Sequence, residues 1–260
     1  SKVSSAEDLQ HISTMGFRGE ALASISEVSH VELTTSTGDI GTKIIIAGGK
    51  CESVKKVGFP RGTTIEVSDL FFNTPARRKF LKSLRHETNN ILELCARFIL
   101  ANPNISFKIV NGGRTEMRSD AHGDELSAIC AVYGEQVKDE LVQISKEIDG
   151  IEITGYVCKP AYSQLNRRKQ SFFVNGRYVK SALIAAALDE AYKGKLMVNR
   201  FPFAVLYIRL PYSEVDVNVH PQKTEVRFSN SRAVFSAVMS AVSQALLPGD
   251  VLPEMKFEDE

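Results

Sequence analysis

A glycine-flanked loop runs directly into a helix-forming segment near the start of the chain. Gly16 and Gly19 enclose Phe17 and Arg18, and the alanine-rich run 20–26 follows at once. The two glycines let the backbone curl so that successive N–H groups converge, and a helix start adds N–H groups without intrahelical partners. Such an arrangement suits a polyanion such as a phosphate chain, although an ordinary glycine turn before a helix has the same spacing.

The first half of the chain alternates strand-like runs with turn signals. Gly-Asp, Gly-Gly-Lys and Pro-Arg-Gly turns separate the runs, which predicts an antiparallel sheet followed by a helix and a hairpin. The predicted elements are strands at 28–35, 42–47 and 63–67, a helix start at Pro75, an apolar helical stripe at Ile91, Leu94, Cys95, Phe98 and Ile99, and a hairpin of 106–110 with 115–118.

The composition changes at Ser119–Asp124, a polar turn of the kind that joins domains. Helices laid on one mixed or antiparallel sheet are predicted beyond it, which makes the second domain α+β. Its predicted elements are helices at 125–133, 181–192 and 232–247 and strands at 151–157, 170–174, 204–210 and 225–228. We therefore predict a first domain over 1–119, a second over 120–248, and the start of a linker at 249–260.

Composition narrows the class of protein. The chain has 260 residues and a formal net charge of +1, which excludes a chain that is basic throughout but allows a local basic face. Its four cysteines lie far apart without a C-x-x-C pair, as expected of reduced thiols rather than a zinc site. No apolar run reaches membrane-spanning length, so we expect a cytoplasmic protein.

Three long stretches resemble motifs of one family, and they occur in the family's order. They are Gly16-Phe-Arg-Gly-Glu-Ala-Leu-Ala-Ser-Ile25, Arg61-Gly-Thr-Thr-Ile-Glu-Val-Ser-Asp-Leu-Phe-Phe-Asn-Thr-Pro-Ala-Arg-Arg-Lys-Phe80 and Val215-Asp-Val-Asn-Val-His-Pro-Gln-Lys-Thr-Glu-Val-Arg-Phe228. The chain thereby resembles the MutL family of DNA mismatch-repair proteins, of bacterial type, within the GHKL ATPase superfamily. The resemblance implies a GHKL (Bergerat-type) ATPase sandwich without its N-terminal part, followed by an α+β domain similar to domain 2 of ribosomal protein S5.

The resemblance also implies a nucleotide site. In the family, backbone amides of the glycine loop cover the ATP phosphates, a strand threonine belongs to the site, and a lysine of the second domain contacts the γ-phosphate. Carried to this chain, the site residues are Gly16, Phe17, Arg18, Gly19, Glu20, Ala21, Thr63 or Thr64, and Lys223. ATP and Mg²⁺ are the cofactors implied for the intact protein. Without the resemblance, a strand threonine and a turn lysine are ordinary surface residues.

Two clusters of basic residues are candidates for contacts with phosphate groups. Arg77, Arg78 and Lys79, with Lys82 and Arg85, follow Asn73-Thr74-Pro75, for which the resemblance favours a structural role. The second cluster comprises Arg167, Arg168, Lys169, Arg177 and Lys180, on the side where the family binds DNA. Such side chains hold the DNA backbone without reading bases. Ala182 stands about where some relatives carry a groove arginine, so the individual contacts stay open.

The glutamate that activates water, the asparagine that holds magnesium and the aspartate that reads adenine lie upstream of the glycine loop in the family. We therefore expect this chain alone to hydrolyse no ATP and to bind it weakly. We also expect its first domain to show an exposed apolar face or an open strand edge.

For the intact protein, the resemblance implies a slow ATPase that acts as a conformational switch in DNA mismatch repair. The implied partners are DNA, a second copy of the chain, a MutS-type mismatch sensor, and a downstream nuclease and helicase. Two alternatives stay open. One is a non-catalytic module for DNA binding or assembly, and the other is the ATPase region of a gyrase-type topoisomerase.

Overall fold

The computed structural model describes residues 20–216 and 225–247. The chain divides into two compact units, one ending at Ile91 and the other beginning at Leu92, so the division lies inside a helix. Several predicted features lie outside the described residues, namely Gly16, Phe17, Arg18, Gly19, Lys223 and the linker 249–260.

The first unit is built on an antiparallel sheet of four strands in the order β3-β2-β1-β4. A short helix precedes the sheet and another follows it, as the sequence predicts. The elements are α1 (Ala21–Ser26), β1 (His30–Ser36), β2 (Ile40–Ala47), β3 (Lys50–Gly58), β4 (Gly62–Ser68) and α2 (Pro75–Arg78), followed by the first part of α3 (Leu84–Ala101).

Strand β3 is absent from the sequence-based prediction. It lies at one edge of the sheet, and most of its residues are exposed. Lysines and a glutamate interrupt the apolar alternation over this stretch, because an edge strand does not need to bury a face and charged side chains there discourage pairing with other chains. The prediction was therefore incomplete for the first sheet.

The opposite edge of this sheet shows the predicted exposed apolar face. Ile65 and Val67 of β4 stand opposite Leu33 and Val31 of β1, which places their side chains on one face of the sheet. Both β4 side chains are 44% exposed, whereas Val31 is buried. Within the described residues, β4 pairs with β1 alone, so its outer edge is open. An open edge and a half-covered face favour association.

The second unit is built on a mixed sheet of five strands in the order β10-β9-β11-β8-β7. Strands β9 and β11 are parallel, and the other neighbours are antiparallel. Its elements after α3 are β5 (Phe107–Asn111), β6 (Arg114–Ser119), α4 (Glu125–Tyr133), β7 (Leu141–Ile148), β8 (Ile151–Cys158), β9 (Gln170–Val174), β10 (Arg177–Val179), α5 (Ala182–Ala191), β11 (Ala204–Arg209), β12 (Val215–Asp216), β13 (Arg227–Phe228) and α6 (Ser231–Ala245).

The sheet of the second unit carries a hydrophobic cluster on each face. Every residue of β9 is buried, with Phe172 and Val174 in the cluster that includes α5 and α6, and Phe173 in the other cluster. Phe173 stacks on Tyr207 of β11 with ring centroids 5.1 Å apart. A central strand buried on both faces explains the continuous apolar run of β9. The predicted α+β class is confirmed.

Further differences from the sequence-based prediction concern α3 and the second unit, in which the short edge strand β10 is absent from the prediction. Strand β7, at the edge of the sheet, is absent from the prediction because polar residues interrupt the apolar alternation that indicates a half-buried strand. The predicted apolar stripe on α3 is largely uncovered, with Ile91 and Phe98 about half exposed and Ile99 buried. The hairpin β5–β6 belongs to the second unit, and the domain boundary at 119 stays a prediction.

Over the part of the chain that the structure describes, none of the helices combines the length and apolar character needed to cross a lipid bilayer.

Candidate nucleotide and nucleic-acid sites

Two residues of the predicted phosphate loop are described, and both stand at the start of α1. Glu20 occupies the N-cap position with its side chain making no capping hydrogen bond, and Ala21 is the first helical residue. The carbonyl oxygen of Glu20 accepts a hydrogen bond from the Ser24 amide at 2.9 Å. Both residues are exposed, and the first backbone N–H groups of a helix have no intrahelical acceptor.

The two candidate threonines project from opposite faces of the edge strand β4. Thr63 stands opposite Thr35 of β1, and their Oγ1 atoms are 2.8 Å apart. Thr64 stands opposite Thr34, on the other face of the sheet. Both candidates are exposed. Because neighbouring strand residues point to opposite faces, a single ligand on one face contacts one of these hydroxyl groups and not both.

The resemblance implies Mg²⁺, an ion that proteins hold through several oxygen ligands. Across 20–216 and 225–247, no group of three histidine, cysteine, aspartate or glutamate side chains is placed to hold a metal ion. The roles considered for Glu20, Ala21, Thr63 and Thr64 rest on backbone N–H and hydroxyl groups rather than on a metal.

A strained turn follows β4 and fixes the Asn73-Thr74-Pro75 segment. Asp69 and Phe71 adopt positive φ angles of 50° and 66°, a conformation that costs energy for residues other than glycine. The Asn73 side-chain amide donates a hydrogen bond to the Glu27 carbonyl at 2.8 Å, which ties the turn to the end of α1. These contacts support a structural role for the turn. The basic residues of the adjoining first cluster are all exposed: Arg77, Arg78, Lys79, Lys82 and Arg85.

Arg167 of the second basic cluster is held by partners within the second unit. Its guanidinium donates two hydrogen bonds to the Asp189 carboxylate, at 2.9 and 2.6 Å. The same guanidinium lies over the Phe201 ring at 4.4 Å from the centroid. A bidentate pair combined with a ring contact gives this side chain a structural role, and it neutralises most of the charge offered to an outside ligand.

Lys169 is also held within the second unit, by aromatic rings. Its ammonium lies 5.9 Å from the ring centroids of both Tyr133 and Tyr162. The residue is half-buried, and the burial of Tyr133 raises the pKa of that phenol. The two rings stabilise the ammonium by cation–π attraction while leaving its charge in place.

Arg168 and Lys180 are two further members of the cluster, and both are exposed. Among residues 20–216 and 225–247, neither side chain forms a hydrogen bond or an ion pair. Arg168 lies just before β9 and Lys180 just after β10, and these strands are antiparallel neighbours. The two residues therefore stand at the same end of the β9–β10 pair, with free charges available to phosphates.

Arg177 combines partial burial with the lack of a carboxylate partner. It begins β10, and burial lowers the pKa of its guanidinium, which remains cationic at neutral pH. No aspartate or glutamate in the described part of the chain forms an ion pair with it. A partly desolvated cation of this kind gains from an external anion.

The turn that positions Arg177 was not identified as functional from the sequence. Asn175 has φ 48°, its side-chain amide donates to the Leu210 carbonyl at 3.0 Å, and its Oδ1 accepts from the Leu210 amide at 3.1 Å. The Asn175-Gly176 pair between two strands is the signal that predicts such a tight turn. Through Leu210, the turn fastens the β9–β10 hairpin to the end of β11.

Replacing Asn175 with alanine should lower the free energy of unfolding by about 2 kcal/mol, since two hydrogen bonds and a residue tolerant of positive φ are removed. Urea unfolding followed by circular dichroism measures the change. Asn199→Ala is the matched control, because Asn199 has φ 59° without the side-chain bonds to Leu210. Equal losses in the two variants would show that the hydrogen bonds contribute nothing.

A comparison with protein-family models matches residues 129–247 to the model described as DNA mismatch repair protein, C-terminal domain. Among curated proteins, the chain is 46% identical over 248 residues to a protein named DNA mismatch repair protein MutL from Clostridium botulinum (strain Loch Maree / Type A3). This alignment covers 95% of the chain and 37% of the relative, so the chain spans less than two fifths of that protein's length.

Among solved structures, the chain is similar to the Aquifex aeolicus MutL ATPase domain complexed with ADP, with 30% identity and a TM-score of 0.62. That match covers 80% of this chain and 76% of the solved chain. A second structure, the N-terminal domain of a DNA repair protein, has a TM-score of 0.76 over 94% of this chain and 82% of its own. At 24% identity, the second match supports the fold alone.

Proposed function

Because the chain belongs to the MutL family of DNA mismatch-repair proteins, we propose that it forms part of an ATP-dependent switch that binds DNA during mismatch repair. The observation that carries the proposal is its 46% identity, over 95% of its length, to a protein of that name. The 30% identity to a MutL ATPase domain solved with ADP supports the nucleotide part of the proposal. In the intact protein, slow hydrolysis of ATP would serve to change the protein's conformation, and the reaction product itself would not be the output.

The proposed nucleotide site comprises the residues that the resemblance implies. Backbone amides of 16–21 bind the phosphates, and the accessible start of α1 at Glu20 and Ala21 is compatible with this role. One of Thr63 and Thr64 contributes a hydroxyl group, since they point to opposite faces. Lys223 supplies a positive charge for the terminal phosphate. Magnesium accompanies ATP in the intact protein.

The proposed DNA surface is the second basic cluster, with its members in different roles. Arg168 and Lys180 contact phosphates directly, because they are exposed and without intramolecular partners among the described residues. Arg177, at the other end of the short strand β10, adds a partly buried cation. Arg167 and Lys169 have a structural role, through their contacts with Asp189 and with the two tyrosines, respectively. Binding through phosphates is sensitive to salt and largely independent of sequence.

In this proposal, ATP binding promotes dimerisation of the intact protein, which acts in the cytoplasm. The dimer links a MutS-type mismatch sensor to a downstream nuclease and helicase. A non-catalytic DNA-binding or assembly module is the second candidate. The exposed cations Arg168 and Lys180 favour this second candidate, because phosphate contacts through their side chains need no bound nucleotide.

Replacing Lys223 with methionine in the intact protein should weaken binding of a non-hydrolysable ATP analogue at least about tenfold, since the terminal phosphate loses a charged hydrogen-bond donor. Calorimetric titration measures the affinity, and light scattering measures dimerisation by the analogue. Lys146→Met is the control, because Lys146 is an exposed lysine on the edge strand β7.

The two candidate functions give different results in this experiment. Loss of analogue binding and of analogue-driven dimerisation in the Lys223 variant supports the switch. If the unaltered protein neither binds the analogue nor dimerises with it, yet binds DNA in a salt-dependent manner, the module is the correct description. Unchanged affinity in the Lys223 variant alone refutes the assigned role of that lysine.

A further inference from the structure

A groove lies between two loops at one end of the sheet of the second unit. Its volume is about 270 Å³, and it is lined by Pro160, Ala161, Ser163, Lys195, Met197 and Arg200. Gln164 and Phe201 exchange two backbone hydrogen bonds, of 2.7 and 2.9 Å, which hold the two loops together. The groove is therefore formed by two loops that these backbone hydrogen bonds hold together.

Large apolar side chains project beside this groove. Leu165, Met197 and Val198 are 75%, 81% and 90% exposed, among the highest values for apolar residues in the described part of the chain. Leu165 follows Gln164 directly, so the loop pairing brings it to the same end as the residues around Phe201. Single exposed apolar residues are common, but several beside one groove are typical of an interaction surface.

The charge of the groove is positive, because the acidic residues of the adjoining end of α5 are already paired. Asp189 is paired with Arg167, and Glu190 is paired with Lys193 at 3.0 Å. Among the described residues, the Lys195 ammonium donates a hydrogen bond to one acceptor, the Ala191 backbone carbonyl, at 3.3 Å. Two cations therefore line the cavity and are available to carboxylates from outside.

The lining favours a protein segment over a nucleic acid. The side chains that line the cavity are aliphatic, thioether, hydroxyl or cationic, and none of them is aromatic. A nucleic-acid base would find no ring on which to stack, and stacking is the main attraction for unpaired bases. An aliphatic or methionine side chain, in contrast, gains from contact with proline, alanine and methionine.

We propose that this groove docks a short acidic segment of a partner protein. An apolar side chain of that segment enters between Pro160 and Met197, and its flanking carboxylates pair with Lys195 and Arg200. Leu165 and Val198 cover the edges of the docked segment. The inference goes beyond the proposed nucleotide and DNA functions and does not depend on either.

The test uses the full 260-residue chain, labelled with ¹⁵N, and synthetic seven-residue peptides. The first peptide carries a central leucine flanked by three glutamates on each side, and the second has serine in place of the leucine. The leucine peptide should shift the amide signals of Ser163, Lys195 and Met197 in a saturable manner. The serine peptide should bind roughly tenfold more weakly, as should the leucine peptide to Met197→Ser.

Two further variants define the outcome. Lys195→Glu combined with Arg200→Glu should abolish the shifts, whereas Val110→Ser, which alters an exposed valine elsewhere in the unit, should leave them unchanged. Equal binding of the leucine and serine peptides, or no saturable shift in the groove, would overturn the proposal. A single-stranded oligonucleotide that shifts the same amides more strongly would also overturn it, in favour of a nucleic-acid ligand.

Discussion

Replacing both Arg168 and Lys180 with glutamate should weaken DNA binding about a hundredfold at low salt, because two attractions to phosphates become repulsions. Both side chains are exposed at the same end of the β9–β10 pair and are not engaged by carboxylates of the described residues. The weakening should be similar for different DNA sequences, since phosphate contacts carry no base information.

Fluorescence anisotropy with two dye-labelled duplexes of unrelated sequence, at several salt concentrations, measures this effect. The slope of log affinity against log salt should fall in magnitude by about 2, roughly 0.9 for each phosphate that is no longer neutralised. Lys108→Glu combined with Lys146→Glu is the matched control, because both lysines are exposed in the same unit and the net charge changes equally. An equal weakening in the control would mean that overall charge, rather than this surface, governs binding.

Arg167→Gln separates the structural from the binding members of the cluster. Its bidentate pair with Asp189 is partly exposed, so the free energy of unfolding should fall by no more than about 1 kcal/mol. DNA affinity should change much less than in the Arg168 and Lys180 variant. A comparable drop in affinity would show that Arg167 releases Asp189 and contacts DNA itself.

Replacing Gly155 with alanine should destabilise the second unit by more than about 3 kcal/mol, a large part of the stability of a typical domain. Gly155 lies in β8 between β7 and β11, with φ +120°, a conformation that side chains rarely adopt. An added Cβ would lie 2.1 Å from the Val205 carbonyl oxygen, and that atom belongs to the neighbouring strand. The neighbouring strands β8 and β11 would have to move apart to accommodate the added methyl group.

Urea unfolding followed by far-ultraviolet circular dichroism measures the destabilisation, and the soluble yield reports a variant that fails to fold. Gly38→Ala is the control, because a Cβ at that position meets no atom within 4 Å and its φ is not in the left-handed region. The control should change stability by less than about 1 kcal/mol. If the Gly155→Ala variant is as stable as the control, β8 and β11 do not lie as close together at Gly155 as the structure shows.

Local patterns in the sequence predicted most of the elements. The predicted bounds of α4 and β9 agree with the structure at both ends, and the turns that separate the strands of the first sheet are correctly placed. In the two larger sheets, the strands missing from the prediction are β3, β7 and β10, and all three are edge strands. Edge strands bury little, so their residues need not alternate, and periodicity then carries no signal.

The sequence by itself determined the α+β class, most of the elements and the family, and it identified five cations as candidates for DNA contacts. Only the tertiary structure showed which of these cations already have intramolecular partners. Arg167 is held by Asp189, which lies 22 residues away, and Lys169 is held by Tyr133 and Tyr162, whereas Arg168 and Lys180 have no such partner among the described residues. A side chain's charge is a local property, but its availability depends on partners that folding brings together from distant parts of the chain.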